Sequence, residues 1–195
     1  LALNLSPIQL RSPHLPQVFA EALAESGVAA QRIEAEITES VLLDDDPRSL
    51  EGLETLRGLG VQIALDDFGA GFSSFSYLQR FHFDKIKIDR AYCAQVDVNA
   101  TNAALVRAIA SLGRDLSMKI VAEGVEEAAQ SAKLAAQGCD FLQGYHHGRP
   151  APIEMFLPPE DVAALRLRRL LRRMRHSLSD ASTTTRRGAR IAAAG

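Results

Sequence analysis

The sequence predicts an α/β fold of parallel strands joined by helical crossovers. Three observations carry that reading. Strand-like segments and helically spaced segments alternate six times along the chain. The repeat is about 30 residues, the size of a βαβ unit. Each strand-like segment closes on polar side chains. Such units build either an open doubly wound sheet or a (β/α)8 barrel. No Gly-x-Gly-x-x-Gly follows the first strand, which counts against a dinucleotide-binding sheet.

At 195 residues and 47% hydrophobic, the chain supports a real core and is not disordered. No apolar run approaches the length of about 20 residues that spans a bilayer. No basic-then-apolar leader opens the sequence. Two cysteines, Cys93 and Cys139, form neither a disulfide framework nor a zinc spacing. This fits a reducing compartment, so a cytoplasmic location is expected. The chain opens mid-pattern in LALNLS without Met, and is expected to be part of something longer. Residues 1–160 carry 13 Lys and Arg against 22 Asp and Glu, whereas residues 161–195 carry 9 Arg against 2 Asp. An acidic domain over 1–160 is therefore followed by a basic appendage.

Taken in order, Leu1–Leu5 reads as a strand. Leu15–Ser26 has helical spacing in Leu15, Val18, Phe19, Ala22 and Leu23, and Gly27 closes it. Arg32–Thr38 alternates as a strand. Asp44-Asp45-Asp46-Pro47 is a helix start, with Asp46 as cap and Pro47 in the first turn; the run is read as solvated. That helix carries Leu50, Leu53, Leu56 and Leu59 and stops at Gly60. Val61–Leu65 is the central strand and ends in two adjacent carboxylates, Asp66 and Asp67. A short helix is expected around Ser74–Gln79, then a strand at Lys85–Ile88. Asn99–Leu116 is a long helix with Ala103, Leu105, Val106, Ile109 and Leu112 at apolar positions. Lys119–Ala122 is a strand, Glu126–Gln137 a helix ended by Gly138, and Asp140–Gln143 a last short strand. Pro150–Leu157 reads as a closing turn and short helix.

The polar strand ends are the chemical signal. They are Asn4, Glu36, the pair Asp66 and Asp67, then Lys87 with Asp89, Glu123 and Gln143. In a barrel, the C-terminal strand ends converge on one face. Residues distant in sequence then form one cluster around four carboxylates, Glu36, Asp66, Asp67 and Glu123. Adjacent like charges repel, and a divalent cation removes that cost. Oxygen ligands in this number suit Mg²⁺ or Mn²⁺ better than zinc. Two metals sharing a bridging carboxylate suit phosphate-ester hydrolysis, and a lysine beside them holds water or neutralises the phosphoryl group. The residues thus argue for metal-dependent phosphodiester hydrolysis without naming a substrate.

The segments NLSPIQL (4–10), EITES (36–40), DDFGAGFSS (66–74), DKIKID (84–89), VAEGVE (121–126) and GCDFLQGY (138–145) resemble, in order and spacing, the EAL-domain cyclic di-GMP phosphodiesterases. The resemblance covers roughly residues 1–157. It implies a TIM-like (β/α)8 barrel of the EAL type, represented here by about six β/α units. It also implies opening of cyclic di-GMP to linear pGpG with Mg²⁺ or Mn²⁺ at a two-metal site. By position, Asn4, Glu36, Asp66, Asp67 and Glu123 match metal ligands, with Asp66 as the bridge. Lys87 matches the lysine on the hydrolytic water, and Lys87, Asp67 and Glu123 form the expected catalytic set. Gln9, Asp89, Glu126 and Gln143 match supporting or substrate-side positions. Glu39 matches the glutamate that steadies the loop after the double aspartate. That loop, Phe68, Gly69, Ala70, Gly71, Phe72, Ser73 and Ser74, lies near the family's usual dimer contact. A homodimer and upstream sensor or cyclase domains are therefore expected partners.

The chain departs from the family pattern in places. The Glu-Ala-Leu strand that names the family is expected upstream of Asn4; Glu21-Ala22-Leu23 falls in a predicted helix and is read as coincidence. Ala70 and Phe72 stand where threonine and tyrosine are commoner. His146-His147-Gly148 is read as surface loop. A non-catalytic receptor that keeps the barrel is the alternative function, and another metal-dependent barrel hydrolase a third.

Leu165–Leu178 reads as a basic helix, with Leu167, Leu170, Leu171 and Met174 in one stripe among six arginines. Packing on the acidic barrel or a solvated extension is favoured over an anionic membrane, and no nucleic-acid polymer is expected. Ser179–Gly195 has the composition of a disordered tail.

Overall fold

A computed structural model describes residues 1–43, 46–69, 78, 80–152 and 155–156. The expected helices at 74–79 and 165–178 and the tail at 179–195 lie wholly or largely outside them. No helix among the described residues is long and apolar enough to cross a membrane. The chain divides into two compact units.

Among the described residues, the first unit comprises 1–4, 34–43, 62–69, 78 and 80–151 and holds the sheet. Its strands are β1 (Ala2–Asn4), β2 (Glu34–Thr38), β3 (Gln62–Phe68), β4 (Lys85–Ile88), β5 (Lys119–Ala122) and β6 (Phe141–Leu142). All neighbours are parallel, and the spatial order is the sequence order, β1 to β6. A doubly wound sheet reverses its order at a switch point; a barrel wall does not. The two sheet types left open by the sequence are separated by this order.

Alternation gives each strand two characters. Ala35, Ile37, Ile63, Leu65, Ile86, Ile88, Ile120 and Ala122 are buried. The alternate positions carry Glu34, Glu36, Gln62, Asp66, Lys85, Lys87 and Lys119. The apolar set is covered by helices. Helix α6 (Ala100–Asp115), capped by Asn99, buries Val106, Ala110 and Gly113. A Cβ on Gly113 would stand 2.4 Å from Ile120 Cδ1, so the glycine lets helix and strand approach. Leu105, expected on this stripe, is 42% exposed. Spacing counted it as apolar, but the contact face is built on small residues. Helix α7 (Ala128–Ala136) buries Leu134 and Gln130.

Two short helices of this unit escape prediction: α3 (Glu39–Leu43) and α5 (Arg90–Cys93). Each starts at or just after a strand end and is too short for a periodic signal. The central strand also runs farther than expected, through Asp66 and Asp67 to Phe68. Two charges suggest a strand end, but β4 supplies the hydrogen bonds that carry the strand onward.

Among the described residues, the second unit comprises 5–33, 46–61, 152 and 155–156. Its helices are α1 (Pro7–Leu10), α2 (Leu15–Ser26) and α4 (Pro47–Gly58), with a 3₁₀ turn at Ala30–Arg32. Helix α2 buries Leu15, Phe19 and Ala22 and ends on Gly27 at φ +66°. Ala22 here confirms that Glu21-Ala22-Leu23 is helical. Asp46 caps α4, accepting from the Arg48 amide at 3.0 Å, with Pro47 in the first turn. In α4, Leu53 and Leu56 are buried and Leu50 is half-buried, as is Leu59 just past its end.

Candidate metal centre and active site

Lys87 stands at the middle of the polar strand ends in the first unit. Its Nζ donates to Glu123 Oε1 at 2.7 Å, Glu36 Oε1 at 2.8 Å and Asp66 Oδ1 at 3.0 Å. The residue is 4% exposed, so the ion pairs are shielded from water. Burial alone would lower the lysine's pKa. The carboxylates of Glu123, Glu36 and Asp66 outweigh burial and push it up, so the ammonium stays charged.

Three strands and one strand exit deliver these groups. Glu36 comes from β2, Asp66 from β3, Lys87 from β4, and Glu123 directly follows β5. Asp67 joins them through a bulge. Leu65 pairs with Ile86 and Phe68 with Ile88, so Asp66 and Asp67 together face the single residue Lys87. Asp67 takes the left-handed conformation at φ +55°, which aspartate tolerates, and its N–H donates to Asp66 Oδ1 at 3.0 Å. A regular strand would send the two carboxylates to opposite faces. Here one carboxylate oxygen each from Asp66, Asp67 and Glu123 lies within 4.8 Å of the others.

The charges are unbalanced. One lysine meets the carboxylates of Glu36, Asp66 and Glu123, with Asp67 alongside. Partial desolvation pushes the carboxyl of the exposed Asp67 up, and the charges of Asp66 and Asp89 add to it. Burial also pushes Glu123 up; Lys87 opposes this, while Asp66 and Glu36 reinforce it. Hard oxygen donors with excess negative charge fit a divalent cation of the Mg²⁺, Ca²⁺ or Mn²⁺ type.

Asn4 pairs in register with Glu36 on the adjacent strand. Glu39 opens α3, and its Oε1 accepts the Gly69 amide at 3.0 Å. Asp89 caps α5, accepting from the Ala91 amide at 2.7 Å. Glu126 pairs with Arg90 at 2.7 Å, and the Arg90 stem lies over Gly124, where a Cβ would be 2.2 Å from Arg90 Cγ. Gln143 is exposed; its main chain bonds to Ala122 O at 2.8 Å and to Val125 N at 3.0 Å. Gln9 lies in the second unit, where its Oε1 accepts the Ser6 amide at 2.9 Å in a capping box. Phe68 is buried and Gly69 half-buried, while Ala70, Gly71, Phe72, Ser73 and Ser74 lie outside the described residues. His146 and His147 are exposed, their rings 5.0 Å apart.

Some site-supporting residues went unread in the sequence. Lys85 pairs with Glu34 two residues before the Lys87–Glu36 pair, giving two tiers of Lys–Glu contact across β3. The signal was present as Glu-x-Glu at 34–36 and Lys-x-Lys at 85–87. Gln130 Oε1 accepts the Glu126 and Glu127 amides at 2.9 and 3.1 Å, and its Nε2 donates to Ala94 O at 2.8 Å. It thereby fixes the segment after Glu123.

The model of the EAL domain matches residues 1–150. An uncharacterized signaling protein of Caulobacter vibrioides is 50% identical over 154 residues, covering 79% of this chain and 19% of that protein. The bifunctional diguanylate cyclase/cyclic di-GMP phosphodiesterase MucR of Pseudomonas aeruginosa is 42% identical over 157 residues, 80% of this chain and 23% of that protein. The chain thus spans about a fifth of the length of these curated relatives. Among solved structures, the MucR phosphodiesterase in complex with c-di-GMP superposes with a TM-score of 0.74 at 42% identity, covering 80% of this chain and 63% of that one. Klebsiella pneumoniae BlrP1, in a manganese/cy-diGMP complex, gives 0.72 at 32% identity over 77% of this chain and 38% of that one.

Proposed function

The chain belongs to the EAL domain family, and we propose that it is the catalytic part of a metal-dependent phosphodiesterase that opens cyclic di-GMP to linear pGpG. The observation that carries this reading is the ammonium of Lys87 within 3.0 Å of Glu36, Asp66 and Glu123, with Asp67 beside them. The MucR and BlrP1 complexes, each named with this dinucleotide, support the substrate, and the manganese named for BlrP1 supports the metal.

In this reading Asp66, Asp67, Glu123, Glu36 and Asn4 hold Mg²⁺ or Mn²⁺. Bound there, the metal supplies Lewis-acid charge and lowers the pKa of water. The chain's own residues do the rest. Lys87 holds three carboxylates in one constellation and keeps a fixed positive charge near the phosphodiester, where negative charge grows in the transition state. The bulge at Asp66–Asp67 presents two carboxylates where a regular strand presents one. Asp89 and Glu39 anchor the main chain just after that bulge, at Phe68 and Gly69. Gln9, Glu126 and Gln143 remain proposed supporting positions, and residues 68–74 a proposed homodimer contact, which sedimentation tests.

The deciding assay is hydrolysis of cyclic di-GMP with Mg²⁺ or Mn²⁺, run on this chain together with the upstream β/α units expected above. Asp66→Asn is the control. Appearance of pGpG, lost in the control, bears the proposal out. Tight binding of the dinucleotide without turnover replaces it with a receptor.

A further inference from the structure

Resting on that reading, we propose that Tyr92 is a positioning residue for the metal centre: through Gly69, its hydroxyl holds the Asp67 carboxylate in place. Tyr92 lies in α5, the short helix that Asp89 caps. Its hydroxyl donates to the Gly69 carbonyl at 2.5 Å. From the opposite side, Glu39 Oε1 accepts the Gly69 amide at 3.0 Å. Both polar groups of one residue are therefore tied to side chains from different elements. The Tyr92 ring also lies against Gly69: a Cβ there would stand 2.8 Å from Cε2, and φ is +96°. One residue earlier, the Phe68 carbonyl accepts the Asp89 amide at 3.4 Å.

These ties end two residues after Asp67, whose own backbone is left-handed. A non-glycine residue in that region persists only where its surroundings fix it. The α5 segment does so in two ways. Asp89 takes the Phe68 carbonyl through its amide, and Tyr92 takes the next carbonyl through its hydroxyl. Phenylalanine at 92 would keep the ring packing and lose only the second tie. The phenol is thus separable from the fold, which makes its role measurable.

The test is Tyr92→Phe with three readouts. In amide hydrogen exchange, the Gly69 amide keeps its bond to Glu39 but should exchange faster by about threefold to tenfold, because losing the Tyr92 bond to the Gly69 carbonyl eases local opening. Mn²⁺ affinity, read by electron paramagnetic resonance without substrate, should weaken by a similar factor. In the hydrolysis assay kcat should fall while KM for cyclic di-GMP holds. Unchanged exchange overturns the inference, as does faster exchange with unchanged Mn²⁺ affinity. If the unsubstituted protein binds Mn²⁺ but hydrolyses nothing, the functional reading fails while exchange and Mn²⁺ affinity still decide the role of Tyr92.

Discussion

Asp84 and Ile63 exchange two hydrogen bonds at the start of the sheet. The Ile63 amide donates to Asp84 Oδ2 at 2.7 Å, and the Asp84 amide donates to the Ile63 carbonyl at 2.9 Å. Asp140 and Ile120 repeat the device two strands on, at 2.9 Å in both directions. Each aspartate precedes its strand and clamps the strand before it, at the end of the sheet opposite the carboxylate cluster. Burial opposes the charge on Asp140, but the hydrogen bonds from Lys119 and the Ile120 amide outweigh it and hold its carboxyl below the usual aspartate range. A depressed carboxyl stabilises the fold above the unfolded pKa and loses that contribution as pH falls through the folded one. Asp140→Asn should therefore cost about 1–2 kcal/mol at pH 7. The difference from the unsubstituted protein should shrink below about pH 4. Urea titrations at pH 7 and pH 3.5 measure both; an equal difference at the two pH values would assign the role to shape alone.

Gly144 sits against the main chain of Val125, where a Cβ would stand 2.1 Å from the carbonyl oxygen and 2.3 Å from the amide nitrogen. No rotamer relieves a clash with backbone. Gly144→Ala should destabilise by about 3 kcal/mol, the upper part of the range for overpacking. It should also disturb the segment carrying Gln143. Denaturant midpoints check the first effect; a variant as stable as the parent would mean that the 143–145 turn is free to move.

The parts of this molecule that were legible are those with a local signal. Helix α2 has periodic Leu15, Phe19 and Ala22 and a stop at Gly27, and it appears at the expected limits. Asp46-Pro47 announces α4. The carboxylates around Lys87 were readable because strand ends converge whenever parallel strands stack in order. What was not legible depends on long-range partners. The strand continues past Asp66 only because β4 pairs with Phe68 across a bulge. Leu105 looks apolar until the contact face proves to be Val106, Ala110 and Gly113. The hydroxyl of Tyr92 has no meaning in sequence until Gly69, 23 residues earlier, is found beneath it.

Asp67 gives a prediction with opposite sign to Asp140. Asp67 is exposed, but partial desolvation and the charges of Asp66 and Asp89 raise its pKa, so the charged form is mildly disfavoured in the fold. The penalty is absent below the unfolded pKa and complete above the folded one. Asp67→Asn keeps a residue that tolerates positive φ and removes the charge. In metal-free buffer the thermal midpoint should rise at pH 7 and stay unchanged at pH 3. With saturating Mn²⁺ the order should reverse, because the variant loses a ligand. A fall in the midpoint at pH 7 without metal would show that Asp67 stabilises the fold through contacts other than the cluster.

Lys87 and a divalent cation act on the same carboxylates, which yields a test of how the centre is held. Removing one partner of a buried ion pair leaves uncompensated charge and costs about 3–5 kcal/mol. Lys87→Met keeps most of the volume and strands Glu36, Asp66 and Glu123 without their cation. Without metal, the variant should lose stability on that scale. Mn²⁺ should return part of it, because a dication neutralises the carboxylates that the lysine no longer serves. The Mn²⁺-induced rise in thermal midpoint should therefore be larger in Lys87→Met than in the unsubstituted protein. Hydrolysis should nevertheless stay lost at saturating Mn²⁺, since the fixed charge beside the phosphodiester is gone. A variant as stable as the parent without metal would mean that the carboxylates do not depend on the ammonium, and that Lys87 serves the reaction alone.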